Sequence, residues 1–212
     1  MKSLLFGALM IALFVSGCKT ETKRLPFLQM EISEKVVDGK TIADTAFRTI
    51  PSFKLLNQDS VVVTQKDFDG TIYVADFFFT SCPTICPIMH RNLLKIYKKY
   101  EANPEVKLAS HTIDVKYDTP SRMKAYADKL GVKGTQWEYL WGSRDEIYTL
   151  AERNYLAAAQ EDKSAPGGFV HGGYLTLVDK EKRIRGVYDG TDDADVKKLM
   201  GDMDILLAEY KK

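Results

Sequence analysis

Thiols, imidazoles and indoles are scarce in this chain: its 212 residues hold three cysteines, three histidines and two tryptophans. So few cysteines exclude a small disulfide-dense scaffold and leave room for one thiol pair. An excess of either charge is missing too. Thirty basic residues against 29 acidic ones leave a formal net charge of +1, which gives no electrostatic case for a nucleic-acid partner. The chain has no internal repeat and no low-complexity segment, and its apolar run Leu4 to Val15 is too short to cross a bilayer as a stable helix. What remains is the composition of an ordinary globular protein.

The first cysteine has its own explanation. Lys2 supplies a positive start, the apolar run follows, and Val15-Ser16-Gly17-Cys18 is a small-residue cleavage site ending in cysteine. This resembles a bacterial lipoprotein signal, in which residues 1–17 are removed and Cys18 becomes the lipidated first residue. The expected location is therefore outside the cytoplasm, anchored to a membrane and facing the periplasm or the cell exterior. An ordinary signal peptide with an incidental cysteine is the plainer alternative, and it also exports the chain. Removing residues 1–17 leaves 195 residues, the usual size of a single domain. Lys19 to Arg24 reads as a polar tether, and residues 18–48 together read as a lipidated tether and extension with weak periodicity. The domain proper is expected over residues 49–212.

Within that domain, strand-like and helical patterns alternate. Ser52–Leu56 and Ser60–Thr64 flank the polar turn Asn57-Gln58-Asp59 and predict a leading hairpin. Thr71–Phe79 is almost continuously apolar and predicts a strand buried on both faces, with Asp76 its one charge. Pro87–Tyr100 is helical, with Ile88, Leu93, Leu94, Ile96 and Tyr97 on a broad apolar face. A strand over Val106–Ile113 is followed by a helix over Thr119–Leu130, with Thr119 at the N-cap, Pro120 in the first turn and Gly131 ending it. Gln136–Trp141 predicts a short strand. Ser143 starts another helix with Glu146 at the capping-box position, reaching about Tyr155. Strands at Tyr174–Val178 and Arg183–Tyr188 and a helix over Asp192–Tyr210 close the chain. The order predicts an α/β sandwich with a mixed sheet.

The other two cysteines sit where a strand becomes a helix, in Phe79-Thr80-Ser81-Cys82-Pro83-Thr84-Ile85-Cys86-Pro87. Cys82 falls in the connection, and Cys86 falls near the helix N-terminus, where unpaired amides and the helix dipole favour a thiolate. The spacing suits a soft metal ion or reversible disulfide chemistry. A passive staple is the plain alternative, yet closing a five-residue loop restrains the unfolded chain by only about 2 kcal/mol. A third metal ligand would come from the histidines. His90 follows Cys86 by four residues on the same helix, His111 falls inside a strand, and His171 lies between glycine pairs in Gly167-Gly168-Phe169-Val170-His171-Gly172-Gly173. Those glycines permit close backbone approach. Spacing alone makes His90 a candidate; the flanking glycines make His171 the most site-like of the three, although spacing cannot place it beside the cysteines.

The nine-residue cysteine segment, then Ile113-Asp114 through Asp118-Thr119-Pro120, then a histidine shortly before Tyr174-Leu175-Thr176-Leu177-Val178-Asp179, is similar to the Sco/SenC family of copper-handling proteins. The likeness runs in order from about Pro51 to Tyr210. It implies a thioredoxin-like fold with a mixed central sheet, an N-terminal hairpin and flanking helices. It also implies copper, as Cu(I) and Cu(II), held by Cys82, Cys86 and His171. The implied role is a chaperone in maturing the dinuclear copper centre of cytochrome c oxidase, with that oxidase's copper-centre subunit or its cysteines, and a thiol reductant, as partners. Two thiolates suit soft Cu(I), and an imidazole completes a site that also holds Cu(II). Zinc fits the same ligand types, although a structural zinc site would normally close with a fourth protein ligand.

The chain departs from the family at two places. Val170 and Gly172 flank the histidine where aspartate and serine are usual, and Asp114-Val115-Lys116 replaces the usual Asp-Pro-Glu. Asp114 is a candidate to orient a ligand, with local capping as its simpler role. The competing function is a membrane-tethered thiol-disulfide reductase using Cys82 and Cys86 as a redox pair. General oxidoreductases of this fold carry CxxC and a proline directly before the facing strand, both missing here, and peroxidases place threonine where Phe79 stands.

Overall fold

The computed structural model describes residues 24–211. The leader over residues 1–17 and Cys18 lie outside the described residues. The chain runs β1 (Met30–Val37), β2 (Lys40–Phe47), β3 (Lys54–Leu56), β4 (Val62–Thr64), β5 (Ile72–Phe78), α1 (Cys86–Tyr100), β6 (Val106–Thr112), α2 (Pro120–Leu130) and β7 (Trp137–Leu140). It continues through α3 (Arg144–Thr149), β8 (Ala159–Glu161), β9 (Phe169–His171), β10 (Tyr174–Val178), β11 (Ile184–Asp189) and α4 (Asp193–Glu209).

Five strands form the central sheet in the order β11-β10-β5-β6-β7. Strands β5, β6 and β7 are parallel, and β10 runs antiparallel to both β5 and β11, so the sheet is mixed as expected. All seven residues of β5 are buried, which explains an apolar run interrupted only by Asp76: helices or loops cover both of its faces. Phe78 faces His90 of α1 and Tyr126 of α2. Phe77, one residue earlier and therefore on the opposite face, meets His111 and Tyr155. Each fully buried phenylalanine contributes about 1.5–3 kcal/mol, so this strand is the fold's main apolar investment.

Helix ends follow the sequence signals with two differences. Gly131 ends α2 at φ 76°, a conformation that favours glycine, and its N–H returns to the Ala127 and Asp128 carbonyls. Thr119 precedes α2 but its hydroxyl accepts no backbone N–H as a cap, pairing with the Ser121 hydroxyl instead. Ser143 Oγ does accept the Glu146 N–H at 3.3 Å, whereas the Glu146 carboxylate accepts from the Lys54 backbone, so the reciprocal half of the box is missing. Beyond Thr149 the helix widens into a π-type turn over Leu150–Asn154.

The extension holds a structure that weak periodicity did not predict. β1 and β2 pair over eight residues each, from Met30 opposite Phe47 to Val37 opposite Lys40, and every residue of both strands is exposed. Alternation marks a strand only when one of its faces is buried, and neither face is buried here. The Asp38-Gly39 turn, with φ 51° and 73°, was the available hairpin signal.

The extension is clamped to one pole of the sheet. Arg185 at the start of β11, 2% exposed, donates to the Leu25 and Pro26 carbonyls and to Glu209, while Glu209 accepts the Leu25 N–H. Ile184 is level with Val178, and Val178 with Tyr73 near the start of β5. The cysteine loop leaves the other end of β5, after Phe78.

Candidate metal and thiol site

Cys86 is the first residue of α1, and Cys82 sits in the turn before it, closed by the Cys82 N–H to the Phe79 carbonyl at 3.2 Å. Both thiols are free and buried. The residue before α1, Ile85, offers no side-chain cap. Pro87 has no N–H and the Ile88 and Met89 N–H groups reach the Ile85 carbonyl, so it is the Cys86 N–H and the helix dipole that favour a thiolate, on Cys82. The Cys86 thiol donates to Cys82, which holds the Cys82 thiol well below its ordinary range against the opposing effect of burial. His171 and the Cys86 and Thr84 amides push it the same way. The same pairing, with burial, raises the Cys86 thiol far above its usual value. Cys82 is the sulfur that ionises first, and Cys86 keeps its proton to donate.

His171 ends β9 and brings its Nε2 to 3.4 Å from Cys86 Sγ and 3.6 Å from Cys82 Sγ. The three ligand atoms all lie within 4.8 Å of one another. Ligand bonds of about 2.3 Å to sulfur and 2.0 Å to nitrogen, opened to a tetrahedral angle, put the two atoms roughly 3.5 Å apart. The two sulfur-to-imidazole distances therefore suit one small soft ion shared by the donor set. Cys82 and His171 line a cleft of about 230 Å³, with Thr84, Ile85, Pro166 and Phe169 as its apolar and hydroxyl rim.

The loop carrying His171 can approach because of Gly167, at φ 79°. A Cβ there would fall 2.7 Å from the Phe79 ring and 3.3 Å from Pro83 Cδ. Phe79 in turn packs on Phe169 and stands edge-on to His171, at centroid distances of 5.1 and 5.5 Å. His171 Nδ1 is buried and has no hydrogen-bond partner among the described residues. With Val170 and Gly172 beside it, the ring lacks the carboxylate that usually orients a ligating imidazole.

The other two histidines are placed elsewhere. His90 is 1% exposed, not on a solvent face, and its Nε2 meets Asp76 Oδ2 at 3.1 Å. His111 stacks on Phe77, with its Nδ1 3.3 Å from the Asp76 carbonyl, and burial holds its imidazole down at about 4. Asp114 accepts the Tyr117 N–H at 3.2 Å and closes its own turn.

Asp118 has a role that spacing could not assign. It is fully buried and accepts the Thr80 N–H at 2.8 Å, the Thr80 hydroxyl, and the Thr112 hydroxyl at 2.7 Å. A residue 38 positions downstream thus fastens the loop two residues before Cys82.

A family model described as SCO1/SenC matches residues 42–204. A protein of Stutzerimonas stutzeri named a putative copper-binding protein is 25% identical over 167 residues, covering 76% of this chain and 79% of that protein. The crystal structure of a SCO1/SenC family lipoprotein from Bacillus anthracis superposes with a TM-score of 0.69 at 28% identity, covering 75% of this chain and 95% of that one. The structure of BsSco superposes with a TM-score of 0.68 at 26% identity, covering 78% and 96%. It is described as having a disulfide switch and as a member of the Sco family of cytochrome c oxidase assembly proteins. The sandwich is thus thioredoxin-like, as these neighbours are.

Proposed function

The chain belongs to the SCO1/SenC family, and on that footing we propose that Cys82, Cys86 and His171 carry copper, as Cu(I) or Cu(II), into the dinuclear copper centre of a cytochrome c oxidase. The supporting observation is the pair of sulfur-to-imidazole distances, 3.4 and 3.6 Å, on a donor set that suits both oxidation states. The likeness to a putative copper-binding protein and to a member of an oxidase-assembly family supports the same cargo and destination. Copper is the substrate here, taken up and passed on.

Location belongs to the same proposal. Val15-Ser16-Gly17-Cys18 and the relative described as a lipoprotein support a lipid on Cys18 that holds the protein at a membrane outside the cytoplasm. No helix among the described residues is long and apolar enough to cross a membrane.

A second reading has its own observation. The lowered Cys82 thiol beside a protonated Cys86 is the arrangement that attacks a disulfide, and BsSco is described as having a disulfide switch. Under this reading Cys82 and Cys86 reduce the target's cysteines and are themselves re-reduced by an external thiol. Titration of the reduced protein with Cu(I) and with Cu(II), following stoichiometry and thiolate-to-copper absorption, tests the first reading. One ion per chain with a sulfur charge-transfer band is expected, and oxidised protein should bind none. Equal binding by oxidised protein overturns it.

A further inference from the structure

The ribbon formed by β1 and β2 has no account in copper or thiol chemistry. A two-stranded hairpin with no covered face is marginally stable alone in water, yet this one keeps its register across eight residue pairs. Its two faces differ. Met30, Ile32, Glu34 and Val36 alternate onto one face, opposite Phe47, Thr45, Ala43 and Thr41. That face carries a single charge, and Ile32 and Val36 on it are 73% and 69% exposed. The other face carries Glu31, Lys35, Lys40 and Asp44.

The position of the ribbon says what covers the apolar face. Phe47 at its base stacks on Phe27, with centroids 4.4 Å apart, directly after the Leu25 and Pro26 clamp. Six residues lie between Cys18 and Leu25, and the chain joining the two spans at most about 25 Å. A lipid on Cys18 therefore keeps the ribbon's base near the bilayer. A protein partner fits poorly: one ribbon face measures roughly 27 by 10 Å, about a third of the roughly 800 Å² per side that a stable complex buries. A tethered chain needs far less intrinsic affinity, because the short leash supplies a high effective concentration.

We infer that the Met30–Ile32–Val36 face of the ribbon rests on the lipid surface and orients the anchored protein. The inference rests on the Cys18 anchor proposed above. Attraction scales with apolar area, since the ribbon holds four acidic and two basic residues over positions 30–47 and gains nothing from anionic lipid.

The test uses full-length lipoprotein in phosphatidylcholine vesicles containing brominated phosphatidylcholine. A tryptophan is introduced by Ile32→Trp or, one residue on and facing the other way, by Ser33→Trp, with the unsubstituted protein as background. Emission from position 32 should shift to the blue and be quenched at least about twofold more than emission from position 33. Flotation with the vesicles but equal quenching at both positions, or none at position 32, overturns the inference and leaves the anchor standing. Failure to float overturns both. Quenching that grows with added anionic lipid traces the contact to basic tether residues and overturns the apolar-face assignment. Burial of position 32 in lipid-free Cys18→Ser protein, with a doubled mass in sedimentation, gives the face to a second copy and also overturns it.

Discussion

Cys86 and His171 approach one point from supports of different kinds. Cys86 opens a 15-residue helix packed on a strand with no exposed residue, and the loop before it is fastened through Thr80 to buried Asp118. His171 ends a three-residue strand paired only with β8, outside the main sheet, on a loop shaped by two glycines at positive φ. The sulfurs belong to the scaffold and the imidazole belongs to the loop. Under the proposed copper role, the helix side alone would suffice for Cu(I), and the harder Cu(II) would need the loop in place. The difference teaches that the proposed uptake and release would be set by a part of the molecule outside the main sheet.

The widest separation of the two sides comes from deleting a sulfur. Cys86→Ser should lower affinity for both ions by more than about a hundredfold, beyond what losing an outer-shell partner costs, as read by competition with a chromogenic chelator. Deleting the loop ligand should divide the ions. His171→Ala should abolish the Cu(II) charge-transfer band, reduce Cu(I) affinity by about tenfold, and leave formation of the Cys82–Cys86 disulfide intact by mass spectrometry of alkylated protein. If His171→Ala keeps the band, the loop is not a ligand support.

On the scaffold side, Asp118→Ala leaves the Thr80 N–H and two hydroxyls without their acceptor. A fall in unfolding free energy of about 1–3 kcal/mol is expected in urea titrations. On the loop side, Gly167→Ala forces a Cβ toward Phe79 and an alanine into positive φ, costing about 1–2 kcal/mol for the backbone alone. It should weaken Cu(II) more than Cu(I) and leave the rate of Cys82 alkylation unchanged.

The smallest effect is the most diagnostic of the thiol pair. An ordinary thiol with a pKa near 8.5 loses nearly a thousandfold in alkylation rate from pH 8 to pH 5 as the thiolate disappears. Because the Cys82 thiol is lowered, it stays ionised across that interval. Its iodoacetamide rate should change by less than about threefold, while Cys86 stays unreactive. In Cys86→Ser protein the flat profile should steepen, since the hydroxyl is a different donor beside the thiolate.

The strands of the main sheet, the β3–β4 hairpin and the helices were legible because each satisfies a periodic burial that the sequence must encode, whereas the three-residue strands β8 and β9 fall in a stretch whose sequence reads as loop. β5 is readable from its apolar run alone, and α2 from Thr119, Pro120 and Gly131. The β1–β2 ribbon was not, because Glu34 on its more apolar face and Val37 and Ile42 on its charged one blur the alternation. At the site, the two thiols and their helix-terminal setting could be read from local order. The convergence of His171 depends on a contact 85 residues away from Cys86, and spacing is silent on contacts of that separation; only the resemblance to the Sco/SenC family pointed to it. Asp118 was visible as part of a motif, but its hold on Thr80 is tertiary. His90 misleads by its four-residue step from Cys86, since the buried carboxylate of Asp76 claims its ring.

Arg185 also sets a height. Its clamp holds Leu25 at the start of β11, level with Tyr73, and six strand steps separate Tyr73 from Phe79, about 20 Å. Were Cys18 to carry the proposed lipid, the leash would end at one pole while the cleft opens at the other, and a molecule standing upright would hold the proposed copper site about that far from the lipid surface. Under that proposal a recipient centre at the level of the acyl chains would be out of reach, and one carried on a domain above the bilayer would meet it.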